Sequence, residues 1–146
     1  MENNKISLMD AYMIETLRSN GLSNEEMVAL LEKKNISDLK QINTKFDFNN
    51  LINLYEQDKD TFKSVLQDGY TVKFLTMNGL KNLLQMKFDK DAEKDYEISD
   101  TGIQRLEIET HKLPALQQLL SINWIIEEQN DTDIDSSKKI VNIQIV

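Results

Sequence analysis

Gly69-Tyr70-Thr71-Val72-Lys73-Phe74-Leu75-Thr76 runs directly into Met77-Asn78-Gly79-Leu80-Lys81-Asn82-Leu83-Leu84-Gln85-Met86-Lys87-Phe88. In the first stretch Tyr70, Val72 and Phe74 alternate with Thr71, Lys73 and Leu75, the period of two that marks a half-buried strand ending at Thr76. In the second, Leu80, Leu83, Leu84 and Phe88 recur at three- and four-residue steps, and Thr76 stands where a side-chain oxygen caps the first amides of a helix. A strand that becomes a helix within twenty residues, between a helical half and a strand-rich half, makes the chain α+β.

Toward the N-terminus the signals are all helical. Leu8, Met9, Tyr12, Met13 and Leu17 form one run, which Asn20-Gly21 ends. Ser23-Asn24-Glu25-Glu26 is a capping box, with Met27, Leu30 and Leu31 as the buried stripe behind it. Ser37 or Asp38 is expected to cap a short turn through Leu39 and Ile42. Asp47 is expected to cap a helix whose inward face is Phe48, Leu51, Ile52 and Tyr55. Asp58 to Gln67 makes another helix, with Phe62, Val65 and Leu66 inward and Gly69 as its stop.

Toward the C-terminus strands return. Asp95 to Ile98 and a strand through Leu106 and Ile108 make a hairpin across Ser99-Asp100-Thr101-Gly102. Pro114 suits the first turn of a helix holding Leu116, Leu119 and Leu120. Asn123 to Glu128 is a strand built on Trp124, Ile125 and Ile126. Gln129 to Ser137 reads as an acidic linker, and Ile140 to Val146 alternates as a terminal strand that should either pair within the sheet, the favoured reading, or add to a partner. The expected architecture is an N-terminal helical part, residues 1–68, and a small sheet with two short helices, residues 69–146, in a split βαβ-like order plus a C-terminal strand. At an offset of 36 residues, Tyr70, Val72, Leu80, Leu83 and Leu84 align with Leu106, Ile108, Leu116, Leu119 and Leu120, so a strand and a Leu-x-x-Leu-Leu helix occur twice.

The chain has 146 residues, and that length buries a core without help from metals or disulfides. With no cysteine it has no disulfides, thiolate metal sites or cysteine nucleophiles, and a single histidine, His111, excludes every two-histidine motif. Four dispersed glycines write neither a phosphate loop nor a dinucleotide fingerprint. No stretch reaches the roughly 18 apolar residues of a membrane span, and Met1 to Lys5 lack a signal-peptide layout, so a cytoplasmic protein is expected. Abundant Asn, Ile, Lys and Asp with scarce Pro and Gly is the bias of an AT-rich coding sequence, and points to a low-GC bacterium or its phage.

Candidate chemistry is thin. Asp131, Asp133 and Asp135 occupy positions one, three and five of a calcium loop, but Ser136 and Asn142 stand where glycine and a closing glutamate belong. Asp89, Asp91 and Glu93 fail in the same way at Lys94. His111 has Glu109, Thr110 and Ser121 as conceivable partners for base catalysis, and nothing in their spacing requires that role. Trp124, in an apolar strand, reads as core or interface.

Charge patterning is more informative. The formal net charge is -8, yet from Gly69 to Phe88 there are three lysines and no acid. The helix there offers Asn78, Lys81, Asn82 and Gln85 to solvent, and with Lys73 and Lys87 these form the candidate partner-binding set. Asn and Gln also read base edges in a major groove. Against DNA stand only two arginines, Arg18 and Arg105, and a strongly acidic stretch from Asp89 to Asp100 where a wing would meet phosphates. The expectation is a non-enzymatic, acidic protein–protein interaction module, an adaptor or inhibitor of a bacterial or phage-encoded protein. The alternative is a winged-helix-like DNA-binding transcriptional regulator. No cofactor and no metal are expected, the partner is another protein, nucleic acid and membrane are disfavoured, and a homodimer is open.

Overall fold

The computed structural model describes residues 4–42, 45–92, 94–129 and 137–146. The chain divides into two compact units, Met1–Tyr70 and Thr71–Val146, and its class is α+β.

The first unit is helical apart from a two-residue strand, β1 (Lys5–Ile6). Its helices are α1 (Leu8–Ser19), α2 (Asn24–Glu32), α3 (Ile36–Ile42), α4 (Asn49–Gln57) and α5 (Lys59–Asp68). The capping box is formed in full: Ser23 Oγ accepts from the Glu26 amide at 3.1 Å while Glu26 Oε1 accepts from the Ser23 amide at 3.2 Å. Asp58 caps α5 by accepting from the Thr61 amide at 3.1 Å, and Gly69 ends it at φ 93°, where a side chain would be strained. α3 is capped differently from the expectation. Asn35, not Ser37 or Asp38, accepts from the Asp38 amide at 3.3 Å, so the helix opens two residues early. Asp47 holds the Asn49 amide at 3.1 Å, and Phe48 is buried from the residue before α4 begins.

The core of this unit gathers Met13, Ile14 and Leu17 from α1, Met27 and Leu31 from α2, and Leu39 from α3, with Leu51, Ile52, Tyr55, Phe62, Val65 and Leu66 from the last two helices. Met9 is solvent-exposed, although its spacing put it on the apolar stripe. Tyr55 and Phe62 meet edge to face at 5.5 Å. One charge is deeply buried. Glu15 accepts from Tyr70 Oη at 2.6 Å and from Arg18 at 3.1 Å, and Arg18 also donates to the Leu66 carbonyl at 2.7 Å. This network satisfies the carboxylate that burial would otherwise penalise.

The second unit opens with β2 (Thr71–Val72), much shorter than the strand expected from Tyr70 to Thr76. The alternation fails at Phe74, which is exposed, while Leu75 is buried. Helix α6 (Met77–Phe88) follows, with Gly79 N donating to Thr76 Oγ1 at 3.0 Å and Leu80, Leu83, Leu84 and Phe88 inward, as their spacing requires. Then come β3 (Glu97–Ser99), β4 (Gly102–Glu109), a single 3-10 turn at Thr110–Lys112, α7 (Leu113–Leu119) with Pro114 in its first turn, β5 (Trp124–Gln129) and β6 (Lys138–Ile145).

These four strands form one antiparallel sheet in the order β3-β4-β6-β5. The element order matches a split βαβ unit, but the pairing does not, because β2 lies outside this sheet and β6 takes an inner position. β4 and β5 each run antiparallel to β6, so they are parallel to one another with a single strand's width between them, and β6 fills it. Ile103 pairs with Ile143, which pairs in turn with Ile126, and Leu106 pairs with Val141. Opposed residues share a face, so this row makes the inner face of the sheet. Between Ile103 and Leu106 the register shifts, and Arg105 sits at φ 57° with its amide donating to Asn142 Oδ1 at 3.0 Å, the signature of a bulge. The two strand–helix copies suggested by the 36-residue offset are unequal here: β2 has two residues and β4 has eight.

Candidate functional site

The place where the expected strand breaks is also where the second unit has its most exposed large apolar side chains among the described residues. Leu75 is pinned from both backbone atoms. Its amide donates to Ser121 Oγ at 3.1 Å, and its carbonyl accepts from Trp124 Nε1 at 2.7 Å and from Asn123 Nδ2 at 3.2 Å. Ser121 Oγ donates to Asn123 Oδ1, the Trp124 amide closes a turn onto the Ser121 carbonyl at 3.1 Å, and the Val146 amide donates to the Asn123 carbonyl at 3.0 Å. Ser121 and Trp124 are buried. The backbone that would have extended a strand is spent on this knot, which is why Leu75 points inward and Phe74 outward.

Several exposed apolar side chains lie in the knot or beside it in sequence. Ile122, between Ser121 and Asn123, is 95% exposed, Phe74 is 66% exposed and Val146 is 75% exposed, while Ile145, opposite Trp124 in the ladder, is 48% exposed. An apolar group left in water costs about 25 cal/mol per Å² relative to burial, and each of these side chains belongs to a residue of one hydrogen-bonded frame or to its neighbour in sequence. The frame also fixes the backbone beneath them, so a partner meets a surface already ordered.

The partner-binding set read from the sequence begins at this knot. Lys73 is exposed beside Phe74, and Asn78 is exposed in the first turn of α6, two residues past the cap Thr76. Asn82 and Gln85 are exposed further along the same helix, and Lys81 and Lys87 are half-buried. The helix therefore carries a polar, acid-free outer face that starts beside exposed Phe74. Sequence reasoning missed Ile122. Its signal was a lone apolar residue between Ser121 and Asn123, two types that hydrogen-bond back to local backbone.

Other candidates are engaged elsewhere. Glu109, a conceivable partner of His111, holds Lys90 at 3.1 Å and Lys112 at 3.6 Å. Its own backbone amide first, then Lys90 and Lys112, hold its carboxyl down to about 2. Ser121 belongs to the knot, and His111 is exposed in the turn before α7. Burial first, then Asp91 and Asp95, push the Tyr96 hydroxyl up. Asp131, Asp133 and Asp135 lie outside the described residues, as does Glu93 of the second acidic cluster. No helix among the described residues is long and apolar enough to cross a membrane. Compared with known protein families, with curated proteins and with solved structures, the chain matches none.

Proposed function

We propose that this chain is a small cytoplasmic protein–protein interaction module, an adaptor or inhibitor of a bacterial or phage-encoded protein, which grips its partner with the apolar knot and the adjoining outer face of α6. The observation that supports this most is Ile122, a β-branched side chain almost fully in water between Ser121 and Asn123, whose side chains hydrogen-bond Leu75 and whose carbonyls accept from the Trp124 and Val146 amides. Interfaces place such rigid apolar anchors at their centre and ring them with polar groups. Lys73 and Lys81, in a stretch without acids, favour a partner that surrounds its apolar pocket with carboxylates.

The alternative, a winged-helix-like DNA-binding regulator, uses the same α6 face with Asn78, Asn82 and Gln85 turned to bases. Against it, the β3–β4 hairpin in the wing position carries Glu97 and Glu107 beside its one arginine, Arg105.

A photo-crosslinking amino acid at position 122 tests the proposal. Partners captured from the source organism's lysate are identified, purified and titrated against the wild-type chain and the Ile122→Ser and Phe74→Ser variants. Each exposed side chain contributes about 1.5–3 kcal/mol if it becomes buried, so binding should weaken at least about tenfold per substitution while the melting temperature holds. Affinities within about twofold of wild type, or salt-sensitive retardation of mixed duplex DNA that Lys81→Glu abolishes, would overturn it.

A further inference from the structure

The helical unit has a surface of its own that the proposed partner site leaves unused. A groove of about 920 Å³ runs between α2 and α5. The two helices lie antiparallel along it, because Asn24, at the start of α2, donates to the Leu66 carbonyl near the end of α5 at 3.3 Å, while Glu32, at the end of α2, meets Lys59, at the start of α5, at 3.1 Å.

Each helix turns one stripe to the groove. From α2 come Glu25, Val28, Ala29 and Glu32, at steps of three, four and seven residues, and from α5 come Lys59, Lys63 and Leu66. One wall is acidic, the other is basic, and the floor between them is made of Val28, Ala29 and Leu66. The far end is closed by Tyr55, whose hydroxyl donates to Glu32 at 2.6 Å beneath the Lys59 ammonium. Val28 and Ala29 are short enough to let another helix approach to within the usual 8–10 Å.

Two opposed stripes of this kind are self-complementary. A two-fold axis lying in the face and running along the groove carries the α2 stripe of one copy over the α5 stripe of the other. Glu25 and Glu32 of each copy then face Lys63 and Lys59 of its mate, and the Val28–Ala29–Leu66 floors meet each other. We propose that this face pairs two copies of the chain in a four-helix interface. A foreign helix would need opposite charges on its two flanks to fit both walls, whereas a second copy already carries them. Repulsion between the net charges of -8 is largely screened beyond the Debye length, about 8 Å at physiological salt, while the facing pairs act inside it.

Sedimentation equilibrium of the full chain over a concentration series tests this with charge reversals at two exposed positions. The wild type is expected to show a concentration-dependent monomer–dimer equilibrium, and Glu25→Lys or Lys63→Glu alone to weaken it by about tenfold, since either turns both symmetry-related pairs repulsive. An equimolar mixture of the two variants then forms a heterodimer in which both pairs are attractive again, as does Glu25→Lys/Lys63→Glu in one chain. Circular dichroism melts confirm that each variant is folded, and Ala29→Arg, which fills the floor with a bulky side chain and leaves the four wall charges in place, provides a second disruption. A chain that stays monomeric at about 0.5 mM, a dimer indifferent to both reversals and to Ala29→Arg, or a mixture that fails to restore pairing would each overturn the proposal.

Discussion

Tyr70 and Glu15, 55 residues apart in sequence, meet inside the helical unit at 2.6 Å, phenol to carboxylate. The carboxylate is enclosed and Arg18 shares it, so the pair ties the last residue of this unit to the middle of α1. Burial first, and the Glu15 charge second, raise the Tyr70 hydroxyl well above its ordinary value.

Removing that hydroxyl should therefore be expensive for its size. Tyr70→Phe is expected to cost about 1.5–3 kcal/mol, the range for a hydrogen bond to a charged group, because it withdraws a donor from a buried carboxylate. Urea denaturation of the full chain checks it. A midpoint unchanged from wild type would mean that water or Arg18 alone satisfies Glu15.

Glu109 gives the acid limb of stability. Its folded value, about 2, lies below the ordinary 4.5, so its contribution is complete above pH 4.5 and disappears as the pH falls toward 2. The melting temperature of wild type should fall more steeply across that window than that of Glu109→Gln, which has nothing there to protonate. Parallel slopes for the two proteins would contradict the assignment.

Gly102 begins β4 directly against β6. A Cβ at this position would lie 2.0 Å from the Ile143 carbonyl oxygen, a backbone atom that cannot rotate away. Gly102→Ala is expected to destabilise by about 1–3 kcal/mol, the ordinary cost of forced overpacking, and to show it as a lowered thermal midpoint.

The C-terminal strand is integral, since β6 pairs with β4 on one side and β5 on the other. Ile143→Ala, at the centre of the Ile103–Ile143–Ile126 row, should cost about 2–5 kcal/mol. Deleting residues 140–146 should abolish the cooperative melt of the sheet unit, as followed by Trp124 fluorescence. A truncated chain that melts within a degree or two of wild type would refute the pairing.

Much of this fold was legible where a rule is local. Ser23 with Glu26, Asp58 with Gly69, and Thr76 ahead of α6 are decided by neighbours within four residues, and all three stand as the residue types require. Apart from the α3 cap at Asn35, the misreadings come from distance. Whether Phe74 or Leu75 turns inward depends on Ser121, Asn123 and Trp124, nearly fifty residues away, and no alternation pattern carries that information. The same holds for the position of β6, because the pattern of Val141 and Ile143 says only that a strand exists, not which neighbours it takes. Of the candidate site, the helical stripe Asn78, Asn82 and Gln85 could be read from periodicity, whereas Ile122 could not, since its one sign is a lone apolar residue between Ser121 and Asn123 and that belongs to no period.

The gap between β4 and β5 also sets the order in which the sheet unit can be completed. During synthesis β4, α7 and β5 all emerge before the residues that join them, so the growing chain holds two parallel strands with facing, unpaired edges until residues 138–145 arrive. Pairing over such a sequence separation is slow, and edges of this kind invite other chains. β4 and β5 therefore have no strand between them until β6 is made, and the interval between β5 and β6 is when those two edges stand open to other chains.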